Sequence, residues 1–119
     1  MGALVDYIKR AREVLDIEKD ALEKVRDGLG DSFTRAVTSI LECLSAGRKI
    51  VITGVGKNLS VAQKMAATLT STGSPAVLLH PSEAVHGDLG ILADGDVLLV
   101  LSYSGETEEL LNLLPLARR

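Results

Sequence analysis

Three short apolar runs, separated by stretches of helical spacing, constrain the fold of this chain more than any other feature. They are Lys49-Ile50-Val51-Ile52-Thr53, Pro75-Ala76-Val77-Leu78-Leu79 and Asp96 to Leu101. Each is too short for a stable helix and dominated by β-branched or aliphatic residues, so each reads as a strand. The runs are continuously apolar rather than alternating, which suits a sheet covered on both faces. Leu59 to Thr72 reads as a helix stopped by Gly73, and Glu106 to Arg118 as another with Leu110, Leu111, Leu113 and Leu114 inside. Pro115 conflicts with that last helix, because proline lacks the amide a helix needs; a kink or an end is expected near it. Strand, helix, strand, short segment, strand, helix is the pattern of an α/β fold with a parallel sheet.

Ahead of the first strand the spacing changes. From about Leu4 to Val25, the residues Leu4, Ile8, Leu15, Leu22 and Val25 recur at near-heptad intervals with charges between them. That predicts a helix packed either on its own domain or on a partner subunit. Gly28 and Gly30 are expected to end it. Asp31 or Ser32 can cap a second helix carrying Phe33, Val37, Ile40, Leu41 and Leu44, with Gly47 as the residue just past its end. The expected organisation is therefore N-terminal helices over residues 1–46 and an α/β unit over 47–119, with no linker marking a further domain.

Composition narrows the function classes. A length of 119 residues fits one domain. Aromatics make up only 3%, so Leu, Val, Ile and Ala must build the core. A net charge of −3 argues against nucleic acid as the partner but leaves an anionic small substrate open, since local geometry outweighs net charge at a site. Cys43 is the single cysteine and reads as a small buried hydrophobe. No run approaches the ~18 apolar residues of a membrane span. Asp6, Lys9, Arg10 and Arg12 leave no room for a secretory apolar region, so a cytoplasmic protein is expected.

Ligands of open α/β sheets bind beyond the carboxyl ends of the strands, and three segments leave strands there. The first is Thr53-Gly54-Val55-Gly56-Lys57-Asn58. It is not a phosphate-binding P-loop, because Val51 stands where that motif needs its first glycine and Asn58 where it needs Ser or Thr. The dinucleotide fingerprint fails at Leu59. What remains is a glycine turn with Lys57 either aimed at a ligand or simply solvated. The second segment, His80 to Asp88, holds both histidines, His80 and His86. Two histidines without a third matched ligand make a poor zinc signature, and each is equally a loop-stabilising hydrogen bonder. The third, Ser102-Tyr103-Ser104-Gly105-Glu106-Thr107-Glu108-Glu109, joins a strand to a helix start. Ser102, Ser104 and Thr107 offer hydroxyls, Gly105 lets amides turn inward, and the helix start adds positive potential. Capping by Ser104 would use one hydroxyl; three plus a glycine favour an anion cradle.

These residues resemble the sugar isomerase (SIS) domain, and within it the arabinose 5-phosphate isomerases. The resemblance runs through Gly54-Val55-Gly56-Lys57, Ala66-Ala67-Thr68-Leu69, Ser71-Thr72-Gly73, His80-Pro81-Ser82-Glu83-Ala84, His86-Gly87-Asp88-Leu89-Gly90 and Leu101 to Glu109. The His80–Gly90 string is specific to the subfamily, whereas the Ser-x-Ser-Gly-x-Thr loop indicates only phosphosugar binding. The resemblance implies a three-layer, doubly wound parallel sheet with helices on both faces. It implies interconversion of ribulose 5-phosphate and arabinose 5-phosphate, feeding synthesis of Kdo for lipopolysaccharide or capsule. It implies Lys57 and Glu109 as catalytic residues. Gly56, Gly73, Ser74, His80, His86, Ser102, Ser104, Gly105 and Thr107 become substrate contacts, with His80 also linked to zinc; no cofactor is required. The implied partner is a phosphorylated pentose, and the implied assembly a homo-oligomer, dimer or tetramer.

Two departures stand out. Asn58-Leu59 replaces the family's Ser-Gly, and Tyr103 stands where the subfamily often has Asn. Family members also continue with further strand–helix units carrying another glutamate and histidine. The 119 residues are therefore expected to be a truncated SIS domain, inactive alone, with a sheet edge to be paired or covered. The alternatives are a non-catalytic phosphosugar-sensing regulatory domain and a ligand-free dimerising scaffold; the His80–Gly90 string favours the isomerase.

Overall fold

A computed structural model describes residues 4–118. The elements run α1 (Tyr7–Gly28), α2 (Asp31–Ser45), β1 (Ile50–Gly54), α3 (Lys57–Ser71), β2 (Ala76–Leu79), α4 (Pro81–Ala84), a 3-10 turn (Asp88–Ile91), β3 (Val97–Leu101) and α5 (Glu108–Ala117). The chain divides into two compact units, Met1–Ala36 and Val37–Arg119.

In the first unit, α1 starts later than the apolar spacing alone suggests. Asp6 accepts a hydrogen bond from the Lys9 amide at 3.0 Å and so caps the helix at Tyr7. The helix also runs through Gly28 and yields only at Leu29, which takes an extended conformation. Arg26 lies in the last turn, where a cation suits the helix dipole. None of the described α1 side chains is buried; Ile8, Leu15, Leu22 and Val25 are all more than 60% exposed. The Gly30 carbonyl accepts from Phe33 and Thr34, so helical bonding in α2 begins one residue before the expected Asp31 or Ser32 cap.

The second unit is a three-stranded parallel sheet in the order β2-β1-β3. β1 lies at the centre and is buried along its whole length. Its alternate side chains feed two clusters. Ile50 and Ile52 pack with Ala62 and Ala66 of α3 and with Ile40 and Leu44 of α2. Val51 packs on the other face with Leu79, Ala84 of α4 and Leu113 of α5. Helices therefore cover both faces, as the continuous apolar runs require, and the fold is the expected three-layer α/β arrangement. Burying each of Ile50, Val51, Ile52 and Leu113 contributes about 1.5–3 kcal/mol.

Three local details differ from the sequence expectation. The helix α4 is a single turn with Pro81 in its first position and the extended His80 as cap; four residues show no periodicity to read. Helix α5 begins at Glu108, later than the expected Glu106, and ends at Ala117, two residues past Pro115. Strand β3 begins at Val97 because Asp96 is occupied otherwise. Its carboxylate accepts from the Lys49 and Ala93 amides and from the Lys49 ammonium, joining the amino ends of β1 and β3. The Asp96 side chain is 2% exposed. That burial alone would raise its pKa. The hydrogen bonds from the Lys49 side chain and from the Ala93 and Lys49 amides, with the Lys49 charge, outweigh it and hold the carboxyl below its ordinary 3.8.

Candidate active site

With the order β2-β1-β3, the chain switches direction across β1, and the crevice of such a sheet opens between the carboxyl ends of β1 and β3. Gly54 pairs with Leu101 there, so the loops 55–56 and 102–107 leave adjacent strands about 4.8 Å apart.

The first loop is shaped by two glycines with different duties. A Cβ on Gly54 would lie 2.9 Å from the Asn58 carbonyl carbon, so Gly54 lets the first turn of α3 sit against the end of β1. Gly56 caps α3 at φ 62°, ψ −126°, a conformation that side chains resist. The turn places Lys57, exposed, as the first residue of α3.

The second loop is bonded to itself. Ser102 Oγ accepts from the Gly105 amide at 2.9 Å and lies 3.3 Å from Thr107 Oγ1. Ser104 Oγ accepts from the Glu106 amide at 3.1 Å. Gly105 makes the turn with φ 71°. Thr107, not Ser104, caps α5, and its hydroxyl makes no capping bond. Capping therefore accounts for none of the three hydroxyls. The two serine hydroxyls organise the loop by holding the amides of Gly105 and Glu106. Glu108 and Glu109 follow at once in the first turn of α5, where they suit the helix dipole.

Between α4 and α5 lies an open cavity of about 290 Å³ lined by Pro81, Ser82, Val85, His86, Glu109 and Asn112. It brings His86 and Glu109 together. Two other cavities are as large, one lined by Gly90 to Asp96, Leu98, Leu116 and Ala117 and one along α3 from Val61 to Leu69. Size does not single out the site; a lining that includes both an imidazole and a carboxylate, next to the serine loop, does.

The expected contacts are thus only partly assembled. Gly56 and Lys57, His80 and His86, and Ser102, Ser104, Gly105, Thr107 and Glu109 all lie at the carboxyl end of the sheet. Gly73 and Ser74, expected as substrate contacts, lie instead at the opposite end of β2 in this chain. They form the turn from α3 into β2, one strand length, about 13 Å, from the exit of β2. There Gly73 takes φ 96° and the Ser74 amide donates to the Leu69 carbonyl at 2.8 Å, closing the end of α3. His80 caps α4 with its carbonyl, which accepts from Glu83 and Ala84. Among the described residues no three His, Cys, Asp or Glu side chains converge around His80. Ser82 and Asn112 also line the cavity, and Asn112 belongs to none of the sequence motifs above. Only the i, i+3 relation of Asn112 to Glu109 on α5 marks Asn112 beforehand.

Comparison with known proteins places this geometry in context. The SIS domain family model matches residues 43–119. The arabinose 5-phosphate isomerase KdsD of Pseudomonas aeruginosa is 42% identical over 120 residues, covering 100% of this chain and 36% of its own length. The arabinose 5-phosphate isomerase GutQ of Escherichia coli K12 is 43% identical over 108 residues, covering 91% of this chain and 33% of its own length. Among solved structures, c3406 of E. coli CFT073 in complex with arabinose 5-phosphate superposes with a TM-score of 0.85 at 39% identity, covering 99% of this chain and 61% of that one. The chain spans about a third of the length of the curated relatives it matches.

Proposed function

The chain belongs to the SIS-domain family, and on that premise we propose that it forms the phosphosugar-binding portion of an aldose–ketose isomerase interconverting arabinose 5-phosphate and ribulose 5-phosphate. The observation that carries this reading is the juxtaposition at the start of α5: a hydroxyl-lined loop, Ser102 to Thr107, beside a cavity shared by His86 and Glu109. The names of the relatives point to the same substrate.

In this reading the phosphate docks on the loop and on the amides of Gly105 and Glu106, with Ser102, Ser104 and Thr107 as further contacts. That remote binding energy positions the sugar. Isomerisation moves a proton between neighbouring carbons through an enediolate. Glu109 takes the proton from one carbon and returns it to the next. Lys57, on the neighbouring loop, stabilises the oxyanion that develops. Gly56 leaves room for the substrate, and His86 and His80 contact the sugar.

We also infer a homo-oligomer acting in the cytoplasm, in the supply of Kdo for lipopolysaccharide. What supports the oligomer is the exposed apolar face of α1. No helix among the described residues is long and apolar enough to cross a membrane.

Two measurements test the reading. The chain is expected to bind arabinose 5-phosphate, in competition with inorganic phosphate. In the isomerase to which it belongs, Lys57→Ala and Glu109→Gln are expected to lower kcat by about 10²–10⁴ while leaving phosphosugar binding within a few-fold. No binding by the folded chain, or full activity of either variant, would sink it.

A further inference from the structure

β1 carries one side chain that packing alone does not explain. Ile50, Val51, Ile52 and Thr53 are all essentially inaccessible, and Thr53 is the only polar residue among those described whose backbone and side chain are both buried. Valine has nearly the same shape and an equal preference for strands. The threonine hydroxyl thus adds nothing to the core, and burying it unpaired would cost roughly 1–3 kcal/mol. It is paired: Thr53 Oγ1 donates to the Leu79 carbonyl at 2.6 Å.

The location of that bond gives it meaning. Thr53 and Leu79 are partners in the last β1–β2 rung. One residue further, β1 becomes Gly54, which seats α3 and leads to Lys57. One residue further on the other side, β2 becomes His80, the cap of α4. By strand alternation Thr53 lies on the face of Val51, which is the face covered by α4 and α5. On that face stands the cavity with Pro81, Ser82, Val85 and His86 on one wall and Glu109 and Asn112 on the other. The first wall follows directly from Leu79. The serine loop that receives phosphate hangs instead from β3, where Val100 stands opposite Thr53 and offers no hydroxyl.

We propose that Thr53 is a positioning residue for the sugar end of the site: its hydroxyl fixes the direction in which β2 leaves the sheet, and so the α4 wall that carries His86. The phosphate end does not depend on it. This inference rests on the phosphosugar reading above.

The test exploits the two ends separately. Dissociation constants of the folded chain are measured for arabinose 5-phosphate and for inorganic phosphate in the native sequence, Thr53→Val and Thr53→Ser. Thr53→Val is expected to weaken arabinose 5-phosphate about tenfold, the equivalent of one lost hydrogen bond, and inorganic phosphate less than about twofold. Thr53→Ser, which keeps the hydroxyl, is expected to restore sugar-phosphate binding to within about twofold. A purely structural role would weaken both ligands alike or neither, and either result overturns the proposal. If Thr53→Val does not fold, Thr53→Ala is read against Thr53→Ser in the same way. A native chain that binds neither ligand overturns the functional reading itself; one that binds both, with no difference between valine and serine, overturns only the role of Thr53.

Discussion

Asp96 and Lys49 show what one buried carboxylate does at the end of the sheet opposite the site. The carboxylate takes two amides and one ammonium, so removing its charge leaves those donors short of an acceptor. Asp96→Asn is expected to cost about 2 kcal/mol, read from denaturant unfolding at neutral pH. The sign of the pH dependence follows from the direction of the shift. Because folding holds the Asp96 pKa below 3.8, its stabilisation is complete above that ordinary value and is lost as pH falls through the lower folded value. The native chain should lose stability across that acid window more steeply than the Asn variant. Parallel acid limbs would contradict it. The apolar run from Asp96 to Leu101 located this residue without revealing its role, since Lys49 is 47 positions away in sequence and the pairing exists only once β1 and β3 are parallel neighbours.

Elements meet most closely where α3 leaves β1. The Gly54-Val55-Gly56-Lys57 turn was legible as a ligand-side glycine turn, yet Gly54 makes its close approach to Asn58 of the protein's own helix. Gly54→Ala puts a methyl group 2.9 Å from backbone, and backbone cannot swing aside as a long side chain can. The first turn of α3 must shift, carrying Lys57 with it. The expected cost is about 1–3 kcal/mol in stability, together with weaker binding of arabinose 5-phosphate. Unchanged melting temperature and unchanged affinity would show that α3 is not seated by this contact. The α5 start teaches the converse. Ser102, Ser104 and Thr107 were legible as hydroxyls near a helix N-terminus, but their mutual bonds, and the choice of Thr107 as cap, depend on the turn that Gly105 makes.

At the scale of the whole molecule, α1 presents Ile8, Leu15, Leu22 and Val25 exposed over three-fifths or more of their surface. Apolar residues recurring along one exposed helix face are expected to bury it against a partner, here a second copy. The 12.6 kDa chain is expected to sediment as an oligomer, and the pair Leu15→Lys with Leu22→Lys to shift it toward monomer. An unchanged mass would exclude α1 from the interface. The sequence by itself determined the three strands, the longer helices and the layering, because three continuously apolar runs suit a sheet with helices on both faces. It also marked the serine loop and the two histidines, since their residue types and spacing are local properties. Only the tertiary structure decided which of them meet. Strand direction and order put Gly73 and Ser74 at one end of β2 and His80 at the other, set His86 and Glu109 on the lining of one cavity, and aimed the Thr53 hydroxyl at the Leu79 carbonyl. Those are contacts between residues far apart in the chain, and no local pattern encodes them.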